Sequence, residues 1–204
     1  MLRVKAHDVS RRLSDRAEWR ATCYLLLGVV MLAPAKAYGD AKAGEKKAQL
    51  CLLCHKPNNR EAWLPTLEGQ TREYLVTQLK AFKEKRRFNP AMQTNAMSLS
   101  DRDIRDIADY FASRKPVRGA YTLDGLKVGR GKVLVEKSKC GECHGANHGG
   151  RKEIPRLAGM DPRYASSQLL AFAAGTRAHP APEVFSSLSE GDAKSIGEYL
   201  AGLE

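Results

Sequence analysis

Four of the five cysteines stand in two pairs, each followed directly by a histidine: Cys51-Leu52-Leu53-Cys54-His55 and Cys140-Gly141-Glu142-Cys143-His144. Two thiols at that spacing, with a histidine next to the second, form the attachment signature of haem c. The thiols add to the two vinyl groups as thioethers, and the histidine falls beneath the iron as its proximal ligand. Three other chemistries use paired cysteines. A zinc site wants its second pair about 15–20 residues away, whereas Cys54 and Cys140 are 86 apart. A thioredoxin-like redox pair needs a βαβ context, which this sequence lacks. Structural disulfides would leave both adjacent histidines without a purpose. The spacing therefore predicts two covalently bound haem c groups, held by Cys51, Cys54, Cys140 and Cys143, with His55 and His144 as axial iron ligands.

These motifs sit inside an internal repeat with a period near 90 residues. The cysteine motif recurs 89 positions on, and Pro65-Thr66-Leu67-Glu68-Gly69 recurs 90 positions on as Pro155-Arg156-Leu157-Ala158-Gly159. Tyr74, Gln78, Leu79, Ala81 and Phe82 recur as Tyr164, Gln168, Leu169, Ala171 and Phe172. Leu99-Ser100-x-x-Asp103 recurs 89 positions on as Leu188-Ser189-x-x-Asp192. The change in offset means that the second copy has lost one residue between Arg177 and Leu188, where the halves differ most.

The elements that must position the motifs read as helices. Leu75, Leu79 and Phe82 fall on one helical face, as do Ile104, Ile107, Ala108 and Phe111. Ser100 is a good N-cap, and Asp103 stands at the third helical position, where its carboxylate complements the helix dipole. Ser189 and Asp192 repeat this arrangement ahead of Ile196, Tyr199 and Leu200. Each half runs from motif to last helix in roughly 60 residues, too few for a strong apolar core without a staple such as a haem. Arg114 to Leu123, with Pro116 and Gly119, reads as the connection. The expected fold is all-α: two tandem cytochrome c-like helical domains, over 38–115 and 124–204, joined by a linker at 116–123 and each wrapped around one haem.

Ahead of them, residues 1–37 read as a signal peptide. Arg11, Arg12, Arg16 and Arg20 precede the apolar run Ala21 to Leu32, and Ala35-Lys36-Ala37 forms a small-x-small cleavage site. The fifth cysteine, Cys23, lies in this leader. A retained anchor is the other reading, but spanning a membrane takes about 20 apolar residues. Cleavage after Ala37 delivers the chain to the periplasm. Residues 38–119 then hold 16 basic and 10 acidic side chains, and residues 120–204 hold 11 and 10. An exported protein meets little nucleic acid, so the basic excess points to an acidic protein patch or an anionic membrane surface; a merely solvated face is the plainer reading.

The sequence resembles the dihaem cytochromes of the c4 type, two class I cytochrome c domains in tandem. The resemblance rests on the cysteine motifs, Pro65-x-Leu67-x-Gly69-Gln70, Tyr74-x-x-x-Gln78-Leu79 and Leu99-Ser100-Asp101-x-Asp103-Ile104, with their second copies, and spans about Gly39 to Leu203. It implies that the proline loop backs the proximal histidine. It also places a methionine iron ligand seven residues before the leucine of Leu-Ser-Asp, which is Met92. Met97, two residues before Leu99, is expected to pack in the core. The second half departs from the pattern: Ala181 stands seven residues before Leu188, and no methionine follows Met160. Met160 is expected to pack. His179, in Ala178-His179-Pro180-Ala181-Pro182, aligns with Asn89 in the distal loop and is the candidate sixth ligand. An open or water-bound iron, or a different ligand, are the alternatives. His148, four residues after His144, should stay on the proximal side within a loop.

These readings describe an electron carrier rather than an enzyme, since no paired carboxylates, nucleophile–base set or phosphate loop occurs. The resemblance implies a periplasmic shuttle between redox proteins, toward a terminal oxidase and often at the membrane. A ligand sensor or enzyme using an open second haem, and a fixed wiring subunit of a larger oxidoreductase, are the rival classes. The more basic first half is expected to dock the partner. Electron-transfer rates should then fall with added salt, and charge reversal on residues 38–119 should slow them more than charge reversal on 120–204; salt-independent rates would refute this.

Overall fold

The computed structural model describes residues 38–56 and 63–204; the leader expected over 1–37, with Cys23, lies outside them. The regular elements among these residues are helices, apart from one isolated bridge between Arg151 and Ile154. The first half contains α1 (Ala41–Leu52), α2 (Arg72–Lys83), α3 (Pro90–Met97) and α4 (Asp101–Ser113). The second contains α5 (Gly125–Lys137), α6 (Cys140–His144), α7 (Pro162–Ala173), a 3-10 turn (Pro182–Phe185) and α8 (Glu190–Gly202). No helix among the described residues is long and apolar enough to cross a membrane.

Local chemistry sets the helix starts. Asp40 caps α1 by accepting from the N–H groups of Lys42 and Ala43. Ser100 and Asp103 form a reciprocal capping box at α4, and Ser189 accepts from the Asp192 N–H at α8. The expected caps and helical faces are therefore in place. Ile107, Ala108 and Phe111 of α4 build the first core with Ala48 and Leu75. Ile196 and Leu200 of α8 build the second with Val135 and Ala165. Cys51 packs against the first core and Cys140 against the second, so each motif begins on a fixed base. Met160 packs against the second core, as expected.

Each half is organised by one close helix crossing, α1 on α4 and α5 on α8. Glycine permits it. A β-carbon on Gly44 would lie 1.9 Å from the Asp106 carbonyl oxygen, and one on Gly131 would lie 2.0 Å from that of Ser195. The two crossings differ in polarity. Asp106 is buried and accepts from the Asp40 N–H at 2.8 Å and Lys47 Nζ at 2.6 Å. Burial pushes its carboxyl up, but the hydrogen bonds from Lys47 and Asp40 outweigh burial and hold it below the usual carboxylate range. The second half has Ser195 at this place, whose hydroxyl donates to the Gly191 carbonyl at 2.9 Å.

The halves meet along a polar seam. The Gln70 side chain donates to the Arg156 carbonyl at 3.0 Å and accepts from the Arg156 N–H at 2.7 Å. Arg87 donates to Gln78, Tyr164 and Gln168, and Arg177 donates to Gln168 and Tyr74. These contacts repeat under exchange of the two halves, because Arg87 and Arg177 occupy equivalent positions of the repeat.

The glycines of α5 offer a sharp test of the crossing. Gly131→Ala must push α5 from α8 and should destabilise the second half by about 1–3 kcal/mol or more. Gly129→Ala, with nothing within 4 Å of its new methyl group, should stabilise it by roughly 0.5–1 kcal/mol. Denaturant midpoints of the two variants should move in opposite directions.

Candidate haem-binding sites

The first motif begins inside the last turn of α1, and the His55 N–H bonds to the Cys51 carbonyl at 2.8 Å. The second motif forms α6, entered through Lys139 with its backbone in the left-handed region (φ 54°). A helical turn brings residues three apart onto one face, which suits two thiols reaching one porphyrin edge. Cys51 and Cys140 are half-buried, and burial pushes both thiols up. Cys54 and Cys143 are exposed.

Both histidines are oriented identically. Nδ1 of His55 lies 2.8 Å from the Pro65 carbonyl oxygen, and Nδ1 of His144 lies 2.9 Å from that of Pro155. A carbonyl can only accept, so Nδ1 carries the proton and the lone pair is on Nε2, as a metal ligand requires. Burial lowers the pKa of both imidazoles and keeps them neutral. The proline loop thus backs each motif histidine, as the resemblance implies.

His148, read from sequence as loop, does more than connect. Its backbone is left-handed (φ 55°), and its carbonyl accepts from the N–H groups of Leu157 and Ala158. Its buried ring stands edge-on to Tyr199. It therefore ties the second motif to the loop that holds His144.

On the distal side the halves diverge. Met92 is half-buried in the first turn of α3, where its N–H bonds to the capping Asn89 side chain at 3.0 Å. Met97 is 64% exposed at the end of α3. The expected packing role for Met97 is therefore corrected: Ala96 is the residue of this turn that faces inward, so its neighbour points to solvent. In the second half the eight-residue α3 is replaced by the four-residue 3-10 turn. His179 faces His144 there, with ring centroids 6.5 Å apart and planes inclined by 21°. Two imidazoles bound to one metal through bonds of about 2.0–2.1 Å have centroids roughly 6–6.5 Å apart. The pair fits an iron between them. Nδ1 of His179 is 3.3 Å from the Ala181 carbonyl oxygen and 3.1 Å from the Ala181 nitrogen. Ligation through Nε2 would select the tautomer that donates to the carbonyl.

The seam supplies a further match. Arg87 and Arg177 are surrounded by tyrosines, glutamines and the rings of Phe82 and Phe172, with no carboxylate bonded to either among the described residues. Two guanidiniums so placed suit haem propionates. Sequence reading missed this pair, although the same 90-residue offset relates them. It also missed Phe185, which has no counterpart ring in the first half.

Comparison with known proteins agrees with this geometry. The cytochrome c family model matches residues 128–203. Cytochrome c4 of Azotobacter vinelandii is 32% identical, over 89% of this chain and 97% of that protein. The crystal structure of reduced recombinant cytochrome c4 from Pseudomonas stutzeri superposes with a TM-score of 0.74 at 30% identity, covering 81% of this chain and all of that one. The thiosulfate dehydrogenase electron acceptor of Thiomonas intermedia is 30% identical, over 66% of this chain and 68% of that protein. Two tandem helical domains with covalently bound haem c define a dihaem electron carrier, not an enzyme. The chain belongs to the cytochrome c4 family.

The methionine assignment has a spectroscopic test. Met92→Ala should abolish the weak band at the near-infrared edge that marks methionine-ligated ferric haem, whereas Met97→Ala should keep it. The reverse outcome reassigns the ligand.

Proposed function

We propose that this protein is a periplasmic carrier that passes single electrons between a donor and an acceptor in a respiratory chain, toward a terminal oxidase. Residues 1–37 serve as its cleaved export signal, and residues 38–115 and 124–204 are its two haem domains. Cys51, Cys54, His55 and Met92 hold the first haem; Cys140, Cys143, His144 and His179 hold the second. Each bound haem supplies a one-electron iron couple. The protein's own groups do the rest. Pro65 and Pro155 hold the proximal imidazoles in one tautomer through their carbonyls. Gln70 and Arg156 join the two proximal loops directly, because Arg156 follows the proline that holds His144. The observation that carries this reading is that doubled, carbonyl-oriented histidine within two halves locked edge to edge by Gln70, Arg87 and Arg177. The excess of basic side chains over 38–119 favours an acidic redox protein as partner, with peripheral attachment to an anionic membrane as a secondary contact.

A second reading has one observation in its favour. The relative from Thiomonas intermedia is named an electron acceptor of thiosulfate dehydrogenase. On that reading the donor is a sulfur-oxidising dehydrogenase, and the protein is its dedicated wiring subunit rather than a free shuttle. Co-purification with a dehydrogenase from membranes would favour the subunit.

The test of the carrier is a count and a titration. A pyridine haemochrome assay should give two haems per chain. Thioether ligation favours ferrous iron, and a second imidazole favours ferric iron. The two haems should therefore titrate as separate steps, the second haem at the lower potential. One haem per chain, or two identical methionine-type sites, would overturn the assignment.

A further inference from the structure

The second half differs from the first by a matched pair of changes around its distal side. His179 stands where the first half has Asn89, and Phe185 stands where it has the fully buried Ala96. These two newcomers touch. The rings of His179 and Phe185 lie 4.8 Å apart at 88°, an edge-to-face contact. On another side Phe172 lies 5.0 Å from His179 at 60°. The two phenyl rings also pack on each other, 5.2 Å apart. Phe172 is itself covered by the Arg177 guanidinium at 4.7 Å. Phe172 has an equivalent in Phe82, which is covered likewise by Arg87 at 4.6 Å, so that part of the clamp belongs to both halves. Phe185 is the part that came with the histidine.

His179 precedes Pro180 and Pro182, which restrict its backbone, but rotation about the bond to an aromatic ring is broad, and within its own loop only the Nδ1 contact to Ala181 restrains the ring. Two phenyl rings at different inclinations remove that freedom, because rotating the imidazole drives its edge into one or the other. The orientation they leave is 21° from the plane of His144.

We propose that Phe185, acting with Phe172, is a positioning residue that locks the His179 ring nearly parallel to His144. This rests on the reading of His179 as the sixth ligand. Near-parallel imidazoles donate π density to the same iron d orbital and split it from its partner, whereas crossed rings leave the two nearly degenerate. A clamped ring also stays in place when iron changes oxidation state, and it resists replacement by an external ligand. Phe185 thereby makes the second site an electron-transfer site rather than a gas-binding one.

The experiment compares the wild-type holoprotein with Phe185→Ala, Phe185→Leu and His179→Ala. Paramagnetic resonance is recorded on oxidised samples and carbon monoxide binding on reduced ones. The wild type should show a rhombic low-spin signal from the second haem and bind no carbon monoxide on the mixing timescale. Phe185→Ala should remain low-spin, shift that signal toward the crossed-ring form, and admit carbon monoxide about 10–100-fold faster. Phe185→Leu retains bulk without the ring edge. It should shift the resonance with a smaller gain in carbon monoxide rate, and it carries the test if the alanine variant fails to fold. The signal of the first haem should be unchanged throughout and reports intact folding. His179→Ala should turn the second haem high-spin. A low-spin second haem whose resonance and carbon monoxide kinetics ignore both Phe185 variants overturns the clamp while leaving His179 as ligand. A second haem that is already high-spin in the wild type overturns the ligation and the clamp with it.

Discussion

Everything in each half turns on one hydrogen bond, from the motif histidine Nδ1–H to a proline carbonyl ten or eleven residues on. Without it the imidazole could present either nitrogen and any plane. With it the tautomer, the ring direction and the loop position are set together. The rest of each half supports that bond. The first cysteine of the motif is anchored in the core, the proline loop is stitched to the last helix by the Gly69 and Gly159 N–H groups bonding to the Phe111 and Leu200 carbonyls, and the last helix lies on the first through a glycine contact. Proline suits the position because it adds no N–H of its own to a crowded, half-buried turn.

Duplication makes each half a control for the other. The crossing glycines Gly44 and Gly131 are equivalent, so close helix approach is common to both. The group beside the glycine is not: a buried carboxylate with its lysine in one half, a serine in the other. Only the carboxylate is buried, the lysine reaching it from a partly exposed position, so the first half depends on Lys47 to keep Asp106 paired in a way that the second does not depend on any cation there. The distal side carries the larger divergence. Shortening α3 to a single 3-10 turn removes the methionine position and brings a histidine and a phenylalanine in its place.

The seam joins the two halves through paired side-chain contacts from each. Its contacts are directional and mostly neutral acceptors meeting guanidiniums, so they fix orientation without burying opposed charges. Burial raises the Tyr74 hydroxyl above its ordinary pKa, with the neighbouring Tyr164 adding to the shift, so it stays protonated beside Arg177. A carrier with two centres depends on this more than on affinity, because electron exchange is sensitive to separation and not to how tightly the halves hold.

By itself the sequence determined the cofactor chemistry, the duplication, the caps of α4 and α8, and the helical faces. Each is a matter of short spacing: a CxxCH run, an offset, an i to i+3 pair, all visible along the chain. It also marked where the second half loses its methionine. It offered His179 as a candidate there, and only the tertiary structure shows how close that ring comes to His144. His144 and His179 are 35 positions apart, and their 6.5 Å approach depends on how α7 and the 3-10 turn pack. The outward direction of Met97 depended on which residue of the α3 turn faces inward, a choice that residue type did not reveal. Nothing along the chain distinguishes Gly44 and Gly131 from other helix glycines, since what they permit is the approach of a second helix. The role of Arg87 and Arg177 is not legible along the chain, because a long side chain shows its partner only when the other half of the molecule meets it.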